Sequence, residues 1–199
     1  MTPREARASG PLFLPDYAPA MTEPRGVVLV EGRSDQLALE ALAVQRGIDL
    51  GRECVVIQPI GGAHAIRRFA DRFPGARVAG LCDAGERDVF VRAGIPAEAL
   101  FVCDLDLEDE LIRAHGAAAN EALFAEHGDL SPFRTFQRQP AWRGQPVEAQ
   151  LRRFFGSADR RKLRYASILV AALPSERVPQ PLGAALDYAL SPGVTTPAS

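Results

Sequence analysis

The segment Val27-Val-Leu-Val-Glu31-Gly-Arg-Ser-Asp35 decides the fold that this sequence predicts. Its first four residues are apolar and mostly β-branched, which is typical of a buried parallel strand and too short for a helix. Ser34 can cap a helix, and apolar residues spaced along 37–44 predict that this helix continues to Gly47. A buried strand that passes through an acidic turn into a helix is the first half of a β-α-β unit.

The same order of strand, turn and helix recurs along the first half of the chain. Further strands are predicted at 54–57, 78–82 and 100–103, and further helices around 66–69, 86–93 and 107–115. Alternation at this spacing predicts an open, mainly parallel sheet with helices on both faces. The predicted fold class is therefore α/β.

After residue 116 the strand signals stop. Helices are predicted at 117–127, 147–155, 159–173 and 182–190. We therefore divide the chain into a mobile, proline-rich N-terminal arm (1–25), an α/β domain (26–116), a basic helical extension packed on it (117–190) and a disordered tail (191–199).

Composition excludes several classes of protein. The chain has 199 residues, of which 47% are hydrophobic and 24% charged, as expected of a globular protein with a core. No apolar run approaches the ~18 residues of a membrane span, and residues 1–20 lack the basic-then-apolar pattern of a signal segment. We therefore expect a cytoplasmic protein without membrane contact. Three cysteines without a CxxC motif argue against a disulfide framework and a structural zinc site.

The net charge of −2 conceals two oppositely charged regions. Residues 26–129 carry 10 Arg against 18 Asp and Glu, whereas residues 130–164 carry 9 basic residues against 2 acidic ones. A metal-dependent enzyme that acts on a polyanion needs carboxylates for cations and basic groups for phosphates. Charge asymmetry alone is more often two solvated surfaces. Among the 23 basic residues, Lys162 is the single lysine.

Acidic residues collect where the predicted strands end. Glu31 and Asp35 follow the first strand, Asp83 and Glu86 follow the third, and the acidic run 104–110, which includes Glu108, follows the fourth. The carboxyl ends of parallel strands meet at one edge of a sheet, and oxygen ligands suit a hard divalent cation such as Mg²⁺. Capping or first-turn charges explain Asp35, Asp104 and Asp106 equally well, but not Glu31, which directly follows a buried strand.

These motifs, taken in order, resemble the TOPRIM (topoisomerase–primase) domain, most closely that of the OLD (overcoming lysogenization defect) nucleases. The resembling segments are Val28-Leu-Val-Glu31-Gly32-Arg-Ser34-Asp35, Ala38–Leu42, Pro59–Gly62, Leu81–Asp83, Asp106–Leu111 and a basic helix with Lys162. They cover about 26–173. OLD proteins usually carry an ATPase domain, but the only lysine here, flanked by Arg161 and Leu163, cannot form a P-loop. We therefore expect a stand-alone form, with any ATP dependence supplied by a partner ATPase chain.

The resemblance implies a TOPRIM-like α/β fold and a nuclease that depends on two Mg²⁺ or Mn²⁺ ions. Glu31 and Asp35 match the first acidic motif of the family, Asp83 the first Asp of its DxD motif, Glu108 a later acidic position and Lys162 a lysine on a C-terminal helix. The implied catalytic residues are Glu31, Asp83 and Lys162. The implied metal ligands are Glu31, Asp35, Asp83, Glu86 and Glu108.

Gly85 departs from the family pattern, because it stands where the second Asp of DxD is expected and Glu86 comes one position later. The first function that we expect is hydrolysis of phosphodiester bonds in DNA. Gly85 favours a second, a non-catalytic nucleic-acid-binding module. A third is primase-like nucleotidyl transfer, and a fourth is a receiver-like regulatory domain, which the Glu31-Gly32 start and the basic helical half disfavour.

Two further segments suggest contacts with nucleic acid. The Gly61-Gly62 turn can offer backbone N–H groups to a phosphate, or it can be an ordinary strand-to-helix turn. Residues 133–143 interleave aromatic rings with arginines, as in surfaces that bind bases and phosphates, although we expect the rings to pin an irregular connection onto the helical half. Contacts with DNA or RNA are predicted for Arg134, Arg138, Arg143, Arg161 and Arg164. The oligomeric state stays open.

Histidines and cysteines are given structural roles. His64, His115 and His127 lack the spacing of metal ligands, and His115 precedes Gly116 at a helix end, where a cationic ring is favoured. Cys54, Cys82 and Cys103 fall within predicted strands, where a free cysteine behaves as a small buried hydrophobe.

Overall fold

The computed structural model describes residues 23–62 and 65–192. Nearly all of the predicted N-terminal arm, most of the predicted tail and His64 lie outside this part of the chain. Within it, no helix is long and apolar enough to cross a lipid bilayer.

A sheet of four parallel strands forms the centre of the molecule. The strands are β1 (Gly26–Val30), β2 (Val55–Pro59), β3 (Arg77–Asp83) and β4 (Leu100–Cys103), in the order β2-β1-β3-β4. Strand β1 pairs with both β2 and β3, and Val28 lies opposite Ile57 on one side and Ala79 on the other. All of β1 is buried, as expected of a central strand covered on both faces. The predicted α/β class is confirmed.

Helices cover both faces of this sheet and continue beyond it. They are α1 (Arg33–Gln45), α2 (Ile66–Ala70), α3 (Arg87–Arg92), α4 (Leu107–His115), α5 (Ala117–Glu126), α6 (Leu130–Gln137), α7 (Val147–Phe155), α8 (Asp159–Ala172) and α9 (Gln180–Leu190). Helix α6 replaces part of the connection that we expected to be irregular. Pro132 lies in its first turn, where a proline interrupts no helical hydrogen bond.

The alternating residues of β1 divide the core into two clusters. Val27 and Leu29 pack with residues of α2 and α3, and Val28 and Val30 pack on the other face with residues of α1, α4, α8 and α9. The second cluster continues into α5–α8, where the ring of Phe124 lies 4.8–5.3 Å from the rings of four other aromatic residues. The helical extension and the sheet therefore share one core.

Helix α9 closes the amino-terminal ends of the strands. A Cβ atom at Gly26 would lie 2.0 Å from the backbone oxygen of Ala189, so only glycine permits this approach. The Arg77 guanidinium lies 4.3 Å from the ring centroid of Tyr188 and donates to the Tyr188 carbonyl. Helix α9 thus contacts the starts of β1 and β3, whereas the predicted site lies at their opposite ends.

Candidate metal centre at the strand ends

Strands β1 and β3 bring the Glu31 carboxylate into contact with the backbone of Asp83. Glu31 follows the last residue of β1, and Asp83 ends β3 opposite Cys103, the last residue of β4. The backbone N–H of Asp83 donates to Glu31 Oε1 at 3.1 Å. This hydrogen bond holds the Glu31 side chain across the edge of the sheet at the end of β3.

The Gly61-Gly62 turn fixes the backbone at Glu31. The N–H groups of both glycines donate to the Glu31 carbonyl oxygen at 3.1 Å. Their φ angles are +73° and +111°, a region that glycine adopts at little cost. Because both N–H groups already have this partner, the arrangement argues against the predicted phosphate loop, and it gives the turn a role in positioning Glu31.

Asp35 lies in the first turn of α1 and faces the same edge. Its Oδ2 accepts a hydrogen bond of 2.9 Å from the backbone N–H of Gly32, the residue that caps this helix. Burial and then the charge of Glu108 raise the pKa of Asp35 to about 6, although the Gly32 N–H opposes this shift. Asp35 therefore serves as a helix-cap residue, as anticipated, and also belongs to the carboxylate cluster.

Asp83 carries the largest carboxylate pKa shift at the site. Burial and next the charge of Glu31 raise the pKa of Asp83 to about 7. Burial likewise raises the pKa of Glu31, against the stabilising hydrogen bond from the Asp83 N–H. Partly buried carboxylates that repel one another favour either a proton or a cation among them.

Two basic side chains reach this edge from the helical extension. Lys162 of α8 places Nζ 3.0 Å from Glu108 Oε1. Burial by itself lowers the pKa of Lys162, but Glu108 together with Asp35 and Asp106 raises it above its ordinary value, which favours the charged ammonium. Arg152 of α7 donates from Nε to Asp106 Oδ2 at 2.8 Å. Asp106 also caps α4, because its Oδ1 accepts from the Asp109 N–H.

Arg152 is the site neighbour that the sequence did not indicate. It lies 46 residues from Asp106 along the chain, and it belongs to an arginine pair on an amphipathic helix with no motif around it. The charge of Arg152 next to Asp106 could be found only from the packing of α7 on α4.

The oxygen donors of this edge fit a hard divalent cation in their chemistry. Within residues 23–62 and 65–192, Glu31, Asp35 and Asp83 form no ion pair with a basic side chain. No three acidic, histidine or cysteine side chains of the described chain are arranged to hold an ion. The hydrogen bonds to Asp83 N–H and Gly32 N–H account for the present orientation of two of these carboxylates.

Glu86 and Gly85 form the turn after β3. Glu86 is half-buried, and its charge contributes to the raised pKa of Glu31. Gly85 is exposed, and a Cβ atom there would have no neighbour within 4 Å among the described atoms. Space for a side chain therefore exists at position 85, but the sequence supplies no carboxylate there.

The five arginines predicted to bind nucleic acid fall into two groups. Arg134 pairs with both carboxylate oxygens of Glu121. Arg161 and Arg164 lie close to the Asp129 carboxylate, and the Arg161 guanidinium also lies 4.0 Å from the centroid of the Phe154 ring.

Arg138 and Arg143 are the other group, and both are exposed. Arg138 donates to Thr135 Oγ1, and Arg143 donates to the carbonyl oxygen of Arg138. These two arginines are therefore the ones whose positive charges no acidic side chain of the described chain offsets.

The aromatic residues around these arginines pack within the protein. Phe133 is fully buried against Phe124 and Phe154, and the rings of Phe136 and Trp142 lie 5.1 Å apart. The structural role that we expected for the rings is confirmed for Phe133. Stacking of bases on this ring would require the helical half to open.

Two of the minor predictions are wrong. His115 is buried, its Nε2 lies 2.7 Å from the Leu169 carbonyl oxygen, and burial lowers its pKa, which disfavours the cationic ring expected at this helix end. Cys54 precedes β2 in a turn with φ of +53° and is partly exposed. Cys82 and Cys103 are buried in strands as predicted.

The parallel sheet, its strand order and the carboxylates at the ends of β1 and β3 define an α/β domain of the TOPRIM type. Residues 25–82 match the family model described as overcoming lysogenization defect protein-like, TOPRIM domain. This match supports an OLD-like TOPRIM domain over residues 25–82, and the resemblance found in the motifs is confirmed.

Solved structures share this fold over most of the chain. The C-terminal region of the Burkholderia pseudomallei OLD protein superposes with a TM-score of 0.60 at 16% identity, covering 84% of this chain and 97% of that one. The C-terminal region of the Xanthomonas campestris pv. campestris OLD protein gives a TM-score of 0.59 at 18% identity, covering 84% and 94%. No curated protein sequence matches the chain.

Proposed function

We propose that this chain is a divalent-cation-dependent phosphodiester hydrolase that acts on DNA. The observation that carries the proposal is the group formed by Glu31, Asp35 and Asp83, which lie at one edge of the sheet without a basic partner among the described residues. The OLD-like TOPRIM family is associated with nucleases, which supports hydrolysis as the reaction. A partner ATPase chain stays a prediction from the family resemblance.

Glu31, Asp35 and Asp83 would hold Mg²⁺ or Mn²⁺. A bound cation of this kind activates water and stabilises negative charge on a phosphodiester. The Gly61 and Gly62 N–H groups fix the backbone at Glu31, and the Asp83 N–H orients its carboxylate. Glu86 lies next to this group and is a candidate for a further ligand.

Lys162 would bind the phosphate of the substrate. Its ammonium is a compact charge suited to a single non-bridging phosphate oxygen, whereas an arginine favours a two-pronged contact. Its Nζ is held at the site by Glu108. The exposed Arg138 and Arg143 would contact phosphates of the same strand farther from the reacting bond, which agrees with a polyanionic substrate.

A cleavage assay tests this proposal. The purified chain is incubated with plasmid, linear duplex and single-stranded DNA, and with RNA, in the presence of Mg²⁺, Mn²⁺ or EDTA. We expect cleavage of DNA only with a divalent cation, and loss of that cleavage in Asp83→Asn. The matched control is Asp71→Asn, which changes an exposed aspartate at the end of α2. Cleavage that persists in EDTA or in Asp83→Asn would contradict the proposal.

Gly85 favours one alternative, a module that binds nucleic acid without cutting it. A glycine at this position removes a carboxylate from the turn after β3. Under this alternative the same assay yields bound but intact DNA with every cation. Longer products in the presence of nucleotides would instead indicate nucleotidyl transfer.

A further inference from the structure

The acidic residues at the carboxyl edge of the sheet form two groups with different partners. Every carboxylate of the run after β4 has a basic side chain within 4 Å. The pairs are Asp104–Arg113, Asp106–Arg152, Glu108–Lys162, Asp109–Arg113 and Glu110–Arg113. The group formed by Glu31, Asp35 and Asp83 has no such partner in the described part of the chain. Each carboxylate of the run after β4 therefore already has a basic partner within the protein, although Arg113 is shared by three of them.

The pair formed by Lys162 and Glu108 is part of the packed structure. The Glu108 side chain is only 13% exposed, so solvent screens this pair less than a surface ion pair. The helix that carries Lys162 is anchored by Tyr165, Ala166 and Leu169, which are buried in the core. The ammonium group is thus held at the border between the two acidic groups, and its charge acts on Glu31 and Asp35 as well.

A second divalent cation beside the first would find at this edge only one further carboxylate without a basic partner among the described residues, that of Glu86. Position 85 supplies none, and Glu108 could become a ligand only by giving up Lys162. A dication placed next to the retained ammonium would also be repelled by it, strongly so where the surroundings are partly dry.

From this arrangement we infer that the centre binds one divalent cation, and that the Lys162 ammonium occupies the place of a second one. This inference rests on the proposed function, because it assumes that Glu31, Asp35 and Asp83 hold a cation. It departs from the two ions that the family resemblance implies. Lys162 would then bring to a bound phosphate the fixed positive charge that a second ion supplies elsewhere.

A titration of the full chain with Mn²⁺, followed by the electron paramagnetic resonance signal of the free ion, counts the bound cations. We expect one ion per chain for the wild type. Lys162→Gln releases Glu108 and removes the ammonium, and we expect it to bind two ions, the second at least tenfold more tightly than any second ion on the wild type. Arg160→Gln is the control, because it removes the same charge two residues earlier on α8, where Arg160 lines a cavity with Asp129.

The ion count separates failure of this inference from failure of the proposed function. No Mn²⁺ on the wild type contradicts the proposed function itself. Two ions of similar affinity on the wild type contradict the single-cation centre and leave the proposed function standing. One ion on both the wild type and a folded Lys162→Gln contradicts the role given to Lys162.

Glu108→Gln provides an independent variant, in which we expect the one ion to bind within about twofold of its wild-type affinity. Loss of that ion would contradict the inference.

Discussion

The carboxylate group of Glu31, Asp35 and Asp83 and the basic region 130–164 differ in what the fold does with their charge. The carboxylates lie together with no ion-pair partner among the described residues, and burial and mutual repulsion raise the pKa values of Asp35 and Asp83. Most of the predicted DNA-binding arginines of the basic region instead contact acidic side chains of the same chain. Excess charge in a sequence segment therefore indicates a ligand only where folding leaves it without a partner.

Much of the charge asymmetry along the sequence is internal complementarity. Basic residues of 130–164 pair with acidic residues of 26–129, in part within the helical extension and in part where it packs on the α/β domain. The pairs are Arg134–Glu121, Arg152–Asp106, Lys162–Glu108 and Arg164–Asp129. This arrangement differs from both sequence-based interpretations, a DNA-binding surface and a pair of solvated surfaces. It leaves four exposed arginines of this region without an acidic partner among the described residues, and two of them, Arg138 and Arg143, are among the predicted DNA-binding residues.

The largest effect that we predict is on the cleavage rate of Lys162→Arg, because Lys162 is the basic residue that lies beside the carboxylate group. The variant keeps the charge, so we expect the fold and the affinity for DNA to change little. We expect the cleavage rate to fall about 100-fold, since a planar guanidinium cannot reproduce a contact to one phosphate oxygen. Single-turnover cleavage with Mg²⁺, together with a binding titration on uncut DNA, measures the two quantities separately.

The reciprocal control is Arg161→Lys, one residue earlier. Its guanidinium packs on Phe154 and lies near Asp129, so this exchange should leave the cleavage rate within about twofold of wild type. A Lys162→Arg protein that cleaves as fast as wild type would show that charge alone is sufficient at this position.

The sequence was informative where local pattern determines geometry. Four short apolar strands with helices between them predicted the parallel sheet, and a parallel sheet places the ends of β1 and β3 at one edge. Glu31 and Asp83 could therefore be assigned to one site from their positions after the strands alone. The helix over 107–115 was predicted at its observed bounds, because Asp106 is a good cap and Gly116 a good stop.

The partners of charged side chains could not be predicted in the same way. Arg134 meets Glu121 and Arg152 meets Asp106 only because α5, α6 and α7 pack against one another and against α4. The prediction of a cationic ring at His115 was wrong for a related reason. The local rule for helix ends favours a charged ring, but packing against Leu169 buries this one. Long-range packing decides these contacts, and one sequence carries no direct record of it.

The double variant Arg138→Ala, Arg143→Ala tests the basic side of the comparison. If these exposed arginines contact phosphates, binding to duplex DNA should weaken about tenfold at moderate salt. The slope of log affinity against log salt concentration should flatten by about one unit per lost contact. Fluorescence anisotropy over a series of salt concentrations, with EDTA to prevent cleavage, gives both values.

A second double variant, Arg134→Ala with Arg164→Ala, removes the same charge from arginines that pair with Glu121 and Asp129. We expect it to change the salt dependence by less than one unit. Equal flattening by the two double variants would mean that the ion pairs do not keep Arg134 and Arg164 from DNA, and the contrast between the groups would be lost.

The smallest effect that we predict is a change in folding stability. Asp83→Asn, studied in EDTA, measures how far repulsion among the carboxylates destabilises the fold when no cation is bound. The pKa of Asp83 is raised to about 7 from an ordinary value of 3.8, so the folded chain holds this proton to a higher pH than the unfolded chain does. Folding stability is therefore lost as the pH rises from about 4 to about 7. Asparagine carries no charge, so Asp83→Asn should be more stable than wild type at pH 8 by about 1 kcal/mol, after allowance for the partial exposure of the group. In a chain of this size that difference raises the melting temperature by about 2–4 °C.

At pH 4 both proteins are neutral at this position and should melt together, whereas Asp71→Asn should show no such pH-dependent gain. A melting temperature of Asp83→Asn at or below that of wild type at pH 8 would show that the carboxylates at the strand ends do not repel one another in the free protein.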